Sequence, residues 1–224
     1  MKNNKLFKLA KCALLGTLLM TTTTSAMAYE PVEPNANYNV KYGVKGQERL
    51  NKLNKLIEKH QNSPLKTKLK VVNDFFNDFF YLSDDKLWGQ NDYWATPIEF
   101  LGVGMGDCED YAIAKFDALT RMGVNKDNLR LIYVTANIDT PHMVLGYYAN
   151  EGSRPLILDN MSTKVVPATL RTDLLQIYAF NKKGIWVVNK GTSKFAGNAS
   201  RLSQWNEVNT RTAMRLPIVD FTVI

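Results

Sequence analysis

The hydrophobic period of the chain changes from helical to mainly strand-like after about residue 125, and this change restricts the fold more than any other feature. Before it, apolar residues recur every three to four positions. Leu50, Leu53, Leu56 and Ile57 form one amphipathic stripe over Gln47 to His60, with Pro64 beyond its end. Leu65, Leu69, Val72, Phe75, Phe76, Phe79 and Phe80 form a second over Leu65 to Leu82, where the Asn-Asp-Phe-Phe tandem gathers rings on one face. Ala112, Phe116 and Leu119 form a third over Cys108 to Met122, with Gly123 as its cap. Beyond the change, Leu129 to Thr135, His142 to Tyr148, Leu156 to Asp159 and Ile185 to Val188 are short, β-branched and aromatic, and separated by turn residues. Ala168 to Phe180 and Ser200 to Thr212 read as two further helices. Helices first and antiparallel strands later, with no strand-helix alternation, predict an α+β domain.

The start of the chain predicts export. Lys2, Lys5, Lys8 and Lys11 precede an apolar run from Cys12 to Met20, a polar Thr21 to Ser25 stretch and Ala26-Met27-Ala28, the order of a cleavable secretory signal. Residues 1–28 are therefore read as a signal peptide, 29–45 as an extended N-terminal arm rich in Pro and Asn, and 46–224 as a single domain. The apolar run is too short for a permanent anchor, and no later stretch reaches about 18 apolar residues. A soluble periplasmic protein with no membrane anchor is the expectation. Losing four lysines and no acids lowers the formal charge from +7 to +3. No basic cluster interleaved with aromatics remains, which argues against nucleic acid as a partner.

With the signal gone, Cys108 is the only cysteine. It has no disulfide partner within the chain, and a lone thiol in an oxidising compartment is a hazard unless buried or used. Its setting favours use. Cys108 follows Gly102-Val-Gly-Met-Gly-Asp107 and opens the third helix, where unpaired amides and the dipole favour a thiolate and could hold the oxyanion of an attacked carbonyl. Gly102, Gly104 and Gly106 leave room for a substrate backbone to approach. Of the two histidines, His60 ends a helix, where it serves the dipole or solvent; His142 opens a strand behind Pro141 and is the better general base. Asp159, closing the Leu-Ile-Leu run, is the candidate that orients it. Residue types alone leave this assignment undecided. Asp107, Glu109 and Asp110 crowd the thiol and would raise its pKa. They read either as the cap and first-turn acids of the helix or as ligands of a cation.

Cys108 within Gly-Asp-Cys-Glu-Asp-Tyr-Ala, His142 within Pro-His-Met-Val-Leu, Asp159 within Leu-Ile-Leu-Asp-Asn, and the Tyr93-Trp-Ala-Thr-Pro lead-in together resemble the bacterial transglutaminase-like cysteine proteinases of the LapG type. The resemblance runs from the first helix to about residue 190 and shows no departure at Cys108, His142 or Asp159. It implies a papain-like, transglutaminase-like fold and a periplasmic cysteine endopeptidase with a Cys108-His142-Asp159 triad. Its substrate would be the N-terminal region of a large surface adhesin, cut beside a dialanine to release the adhesin and disperse biofilm. An inner-membrane cyclic di-GMP receptor would sequester it. Calcium dependence is implied as well, with Asp107, Glu109 and Asp110 as ligands; Ca²⁺ takes about six to eight oxygens, so carbonyls, water or other acids must complete the shell. Trp94 is a candidate second oxyanion donor beside the Cys108 amide. Two other functions fit the same residues: acyl transfer, in which an amine rather than water resolves the thioester, and a calcium-responsive binding module without catalysis.

Overall fold

The computed structural model describes residues 36–137, 139–189 and 192–214. The expected signal peptide and the first part of the expected arm lie outside the described residues. Helix α1 (Ala36–His60) is broken by Gly43 at φ 60°. Helix α2 (Leu65–Asn77), strand β1 (Phe80–Tyr81), the short helix α3 (Asp84–Leu87), helix α4 (Pro97–Val103) and strand β2 (Met105–Gly106) follow. Helix α5 (Cys108–Arg121) then leads into strands β3 (Leu129–Ala136), β4 (Thr140–Tyr147), β5 (Leu156–Asp159), β6 (Ser162–Pro167), β7 (Leu174–Asn181), β8 (Gly184–Asn189) and β9 (Thr192–Gly197). Helix α6 (Ser203–Met214) comes last.

The α+β expectation holds. β3 to β9 make one antiparallel sheet in the order β6-β5-β4-β3-β7-β8-β9. α5 lies on this sheet against β4, β3 and β5, with α2 beside it, and α1 packs on α4. Tyr111, Ala112, Ala114, Ala118 and Leu119 of α5 are buried with Leu131, Met143, Leu145 and Leu158 of the sheet in one core. Small alanines on the helix face let α5 approach the sheet closely. At about 25 cal/mol per Å² of apolar surface, burying a leucine such as Leu119 contributes roughly 1.5–3 kcal/mol. Gly123 (φ 80°) ends the helix by donating its amide to the Thr120 carbonyl. Among the described residues no helix is long and apolar enough to cross a membrane.

Three local expectations are corrected. Residues 36–45 are helical rather than an extended arm, because Tyr38 is buried and Tyr42 packs on the same core. α2 stops at Asn77 instead of Leu82: Asp78 caps it, and Phe80 and Tyr81 turn away to pair in parallel with Met105 and Gly106. The helix read over Ala168 to Phe180 is a 3-10 turn (Ala168–Leu170) followed by β7. Leu174, Ile177 and Tyr178 satisfy a helical period, yet β3 and β8 bond both edges of the segment, and Tyr178 stacks on Tyr133 at 5.2 Å. Sheet pairing outweighs a local preference worth only tenths of a kcal/mol per residue.

Candidate active site

α5 begins where the chain leaves β2, and the glycines before it are spent on packing. Gly102, Gly104 and Gly106 are all buried. A Cβ at Gly102 would strike the Tyr42 ring, and one at Gly106 would strike Asp110 Oδ2. Gly104 ends α4 in the left-handed conformation (φ 78°) under the Arg49 guanidinium, which bonds the carbonyls of Leu101 and Gly102. The room expected for a substrate is therefore filled by Tyr42, Arg49 and Asp110. This corrects the reading of the loop as an approach path.

Cys108 is the first residue of α5 and partly buried. Its Sγ donates to Glu109 Oε2 at 3.0 Å, and the backbone amide of Met143, the neighbour of His142 on β4, favours the thiolate. Burial, followed by the charge and hydrogen bond of Glu109 and the charge of Asp107, pushes the thiol far above its ordinary pKa. The helix end alone does not produce a thiolate here.

His142 and Asp159 sit on neighbouring strands and are both buried. His142 Nε2 lies 2.8 Å from Asp159 Oδ1, which also accepts from the Met161 amide at 3.0 Å. Burial opposes ionisation of Asp159, but the His142 hydrogen bond and charge, the Met161 amide and Arg171 hold it at about 2. An ionised carboxylate only accepts, so Nε2 carries the proton and Nδ1 keeps the lone pair of the neutral ring. His60, by contrast, reaches Ser63 Oγ at 3.2 Å at the end of α1.

The acids form a larger cluster than Asp107, Glu109 and Asp110. Asp84 and Asp92 join it: ligand oxygens of Asp84, Asp92 and Glu109 lie within 4.8 Å of one another, as do those of Asp84, Asp107 and Asp110. Segment 83–92 reads in the sequence as merely polar and turn-rich. Its available signals were an Asp-Asp pair opening a short helix and an acid directly before Tyr93-Trp94. Asp110 is fully buried and accepts from the Ala95 amide at 2.7 Å and the Asp107 amide at 3.3 Å, so it serves α5 as a cap as well. Asp84 Oδ2 accepts from the Tyr93 amide at 2.5 Å.

Burial and the neighbouring acids raise every pKa in this cluster that departs from its ordinary value. Asp84 stands at about 7, through burial and the charges of Asp107 and Asp92. Asp107 stands at about 8, through burial and Glu109. Burial raises Glu109 as well, and burial with Asp107 raises Asp110 well above the carboxylate range. Asp84 Oδ1 and Asp107 Oδ1 are buried with no hydrogen-bond partner. Close, repelling carboxylates with unpaired oxygens are a donor set that fits a hard divalent cation. Trp94 belongs to this cluster too. Its indole N–H donates to Asp92 Oδ1 at 2.8 Å, so its single donor is committed to a carboxylate in this structure.

The description "Bacterial transglutaminase-like cysteine proteinase BTLCP" matches residues 36–194. Among solved structures, EGTA-treated LapG of Legionella pneumophila is 34% identical with a TM-score of 0.71, over 82% of this chain and 100% of that one. Calcium-bound LapG of the same organism is 35% identical with a TM-score of 0.68, over 78% of this chain and 95% of that one. No curated protein matches. The fold is thus the transglutaminase-like one that the resemblance implies, and the chain belongs to the bacterial transglutaminase-like cysteine proteinases.

Proposed function

We propose that the chain is a calcium-dependent periplasmic cysteine endopeptidase with Cys108 as nucleophile, His142 as general base and Asp159 as the group that orients it. The observation that carries this reading is the 2.8 Å contact of His142 Nε2 with Asp159 Oδ1 on the strand pair beside the start of α5. The contact leaves Nδ1 as the basic nitrogen. His142 takes the Cys108 proton as sulfur attacks the scissile carbonyl, and the Cys108 backbone amide at the start of α5 holds the oxyanion. Collapse of the tetrahedral intermediate expels the amine, which takes its proton from the imidazolium. Water, deprotonated by His142, then hydrolyses the thioester.

Asp107, Glu109 and Asp110, joined by Asp84 and Asp92, are the residues that would hold calcium. The bound ion supplies positive charge beside the thiol, offsetting the carboxylates that otherwise keep it protonated. Support comes from the two buried, unpartnered oxygens of the cluster and from calcium-bound and EGTA-treated forms of the similar LapG.

The substrate in this reading is the N-terminal region of a large surface adhesin, cut beside a dialanine, so that cleavage releases the adhesin and disperses biofilm. An inner-membrane cyclic di-GMP receptor would sequester the protease. The test is cleavage of a dialanine-containing adhesin fragment with and without chelator. Cleavage that Cys108→Ala abolishes and EGTA suppresses supports the proposal; cleavage surviving either treatment refutes the corresponding half.

A further inference from the structure

Asp159 has two carboxylate oxygens, and the triad uses one. Oδ1 is shared by His142 Nε2 and the Met161 amide. Oδ2 is buried and accepts no hydrogen bond, but Arg171 Nη2 forms an ion pair with it at 2.7 Å. Among the described residues Arg171 is the one arginine or lysine paired with Asp159. The pair is well sheltered, with the side chain of Asp159 0% exposed and that of Arg171 12%.

Arg171 is itself held in place. It follows the 3-10 turn Ala168–Leu170, whose Ala168 amide bonds the Pro155 carbonyl just before β5, and its own amide bonds the Ala168 carbonyl. On the solvent side Arg171 Nε and Nη2 bond Asp173, at 3.0 Å to Oδ1 and 2.7 Å to Oδ2. The guanidinium hydrogen-bonds Asp173 and so holds its positive charge against Asp159 Oδ2. The backbone of Asp159 is held separately. Buried Lys115 of α5 donates to Asn73 Oδ1 at 2.9 Å and Asn77 Oδ1 at 2.7 Å, and Asn77 Nδ2 donates to the Asp159 carbonyl at 2.9 Å.

We propose that Arg171 is a positioning residue: by occupying Asp159 Oδ2 it stops the carboxylate from rotating and presents Oδ1 to His142 Nε2. The proposal rests on the triad reading above. Lys115 and Asn77 set where Asp159 stands, and Arg171 sets which way its carboxylate faces. Without Arg171, Oδ2 would be a buried acceptor with no counter-charge, and the carboxylate would turn toward whatever donor or water is nearest.

The experiment uses the calcium-loaded mature protein carrying His60→Gln, which leaves His142 as its one imidazole. Three readouts are compared among the parent, Arg171→Met and Arg171→Lys: the His142 Nε2–H proton resonance, the rate of Cys108 alkylation by iodoacetamide, and kcat and KM on the adhesin fragment. Arg171→Met is expected to move or broaden the resonance and to lower alkylation and kcat roughly tenfold with KM unchanged, as loss of a partner that orients a functional group does. Arg171→Lys is expected to restore most of both. Arg171→Gln replaces the methionine variant if that does not fold. An unchanged resonance with full kcat in Arg171→Met overturns the proposal. So does equal impairment of both variants with equal loss of thermal stability, the result a purely structural role gives. If the parent cleaves no fragment, the functional reading fails while the resonance still decides the role of Arg171; if Asp159→Asn leaves alkylation unchanged, the triad itself fails.

Discussion

Arg211 of α6 should be worth about a fifth or more of the stability of the domain. It enters a pocket of buried charge, with Nη1 2.7 Å from Glu99 Oε2 and 2.8 Å from the Tyr93 hydroxyl, and Nη2 2.5 Å from the Trp94 carbonyl. Glu99 is 0% exposed, and its other donors are neutral: the Thr96 amide at 2.8 Å and the Tyr93 hydroxyl at 3.0 Å. Arg211→Ala removes the only positive charge that pairs with Glu99 among the described residues. Breaking a buried pair in this way costs about 3–5 kcal/mol, against a total of about 5–15 kcal/mol for a typical domain. For a chain of this size each kcal/mol shifts Tm by roughly 2–4 °C, so a fall of about 6–20 °C is expected. Urea unfolding followed by tryptophan fluorescence in excess EGTA measures it without a contribution from bound calcium. Glu99→Gln in the Arg211→Ala background should recover much of the loss, because the unpaired charge is the cause. A loss below about 1 kcal/mol in Arg211→Ala, or no recovery in the double variant, would refute the argument.

Arg211 is also linked to the acidic cluster, since Tyr93 and Ala95, on either side of Trp94, give their amides to Asp84 and Asp110. Arg211→Ala should therefore weaken calcium binding measured by calorimetry; affinity equal to that of the parent would show that the two are uncoupled. Asp84→Asn should lower calcium affinity by about tenfold or more while leaving the fold intact, because it removes a ligand charge. Unchanged affinity would exclude Asp84 from the shell. In chelated protein, Asp84 at about 7 and Asp107 at about 8 hold protons that the unfolded chain has already released near pH 4. The folded state binds the extra protons, so Tm should fall as pH rises from 5 to 8, and calcium, by displacing those protons, should abolish the slope. A Tm that rises over this range in EGTA contradicts the sign. Gly106→Ala should destabilise the protein and weaken calcium binding together, since its methyl would displace Asp110; a variant with parental Tm and calcium affinity would show that the contact can relax.

The elements that the sequence reveals are those whose local signals agree with their packing. α5 announces itself through Ala112, Phe116, Leu119 and Gly123, and β3, β4, β5 and β8 through dense β-branched and aromatic runs between turn residues. β7 conceals itself because Leu174, Ile177 and Tyr178 fit a helical period, and only the strands on either side impose the extended one. The roles of the glycines are hidden for a similar reason. Gly102 is small because Tyr42, sixty positions earlier in the chain, lies against it, a relation that no local pattern carries. In the site, Cys108, His142 and Asp159 are legible through their motifs, whereas Asp84, Asp92 and Arg171 are brought in by tertiary structure alone.

The acidic cluster and the thiol work against each other, and this antagonism gives the site a way to be silent. Without positive charge, Glu109 accepts the Cys108 proton in a hydrogen bond, and burial with Asp107 disfavours the thiolate further. The helix end offers the opposing influence, but a dipole term of about 0.3–1 kcal/mol cannot balance several carboxylates a few ångströms away. Whatever neutralises the cluster must therefore act on the Cys108 thiol as well as on the fold. His142 and Asp159 need no such help, since their contact is already formed and Asp159 is already ionised. In the proposed roles the base is preorganised while the nucleophile is held back, so the dependence on a cation should fall on Cys108 reactivity and leave the His142–Asp159 geometry unchanged. Iodoacetamide labelling that rises with calcium, alongside a His142 Nε2–H resonance that does not move, is the pattern this division of roles requires.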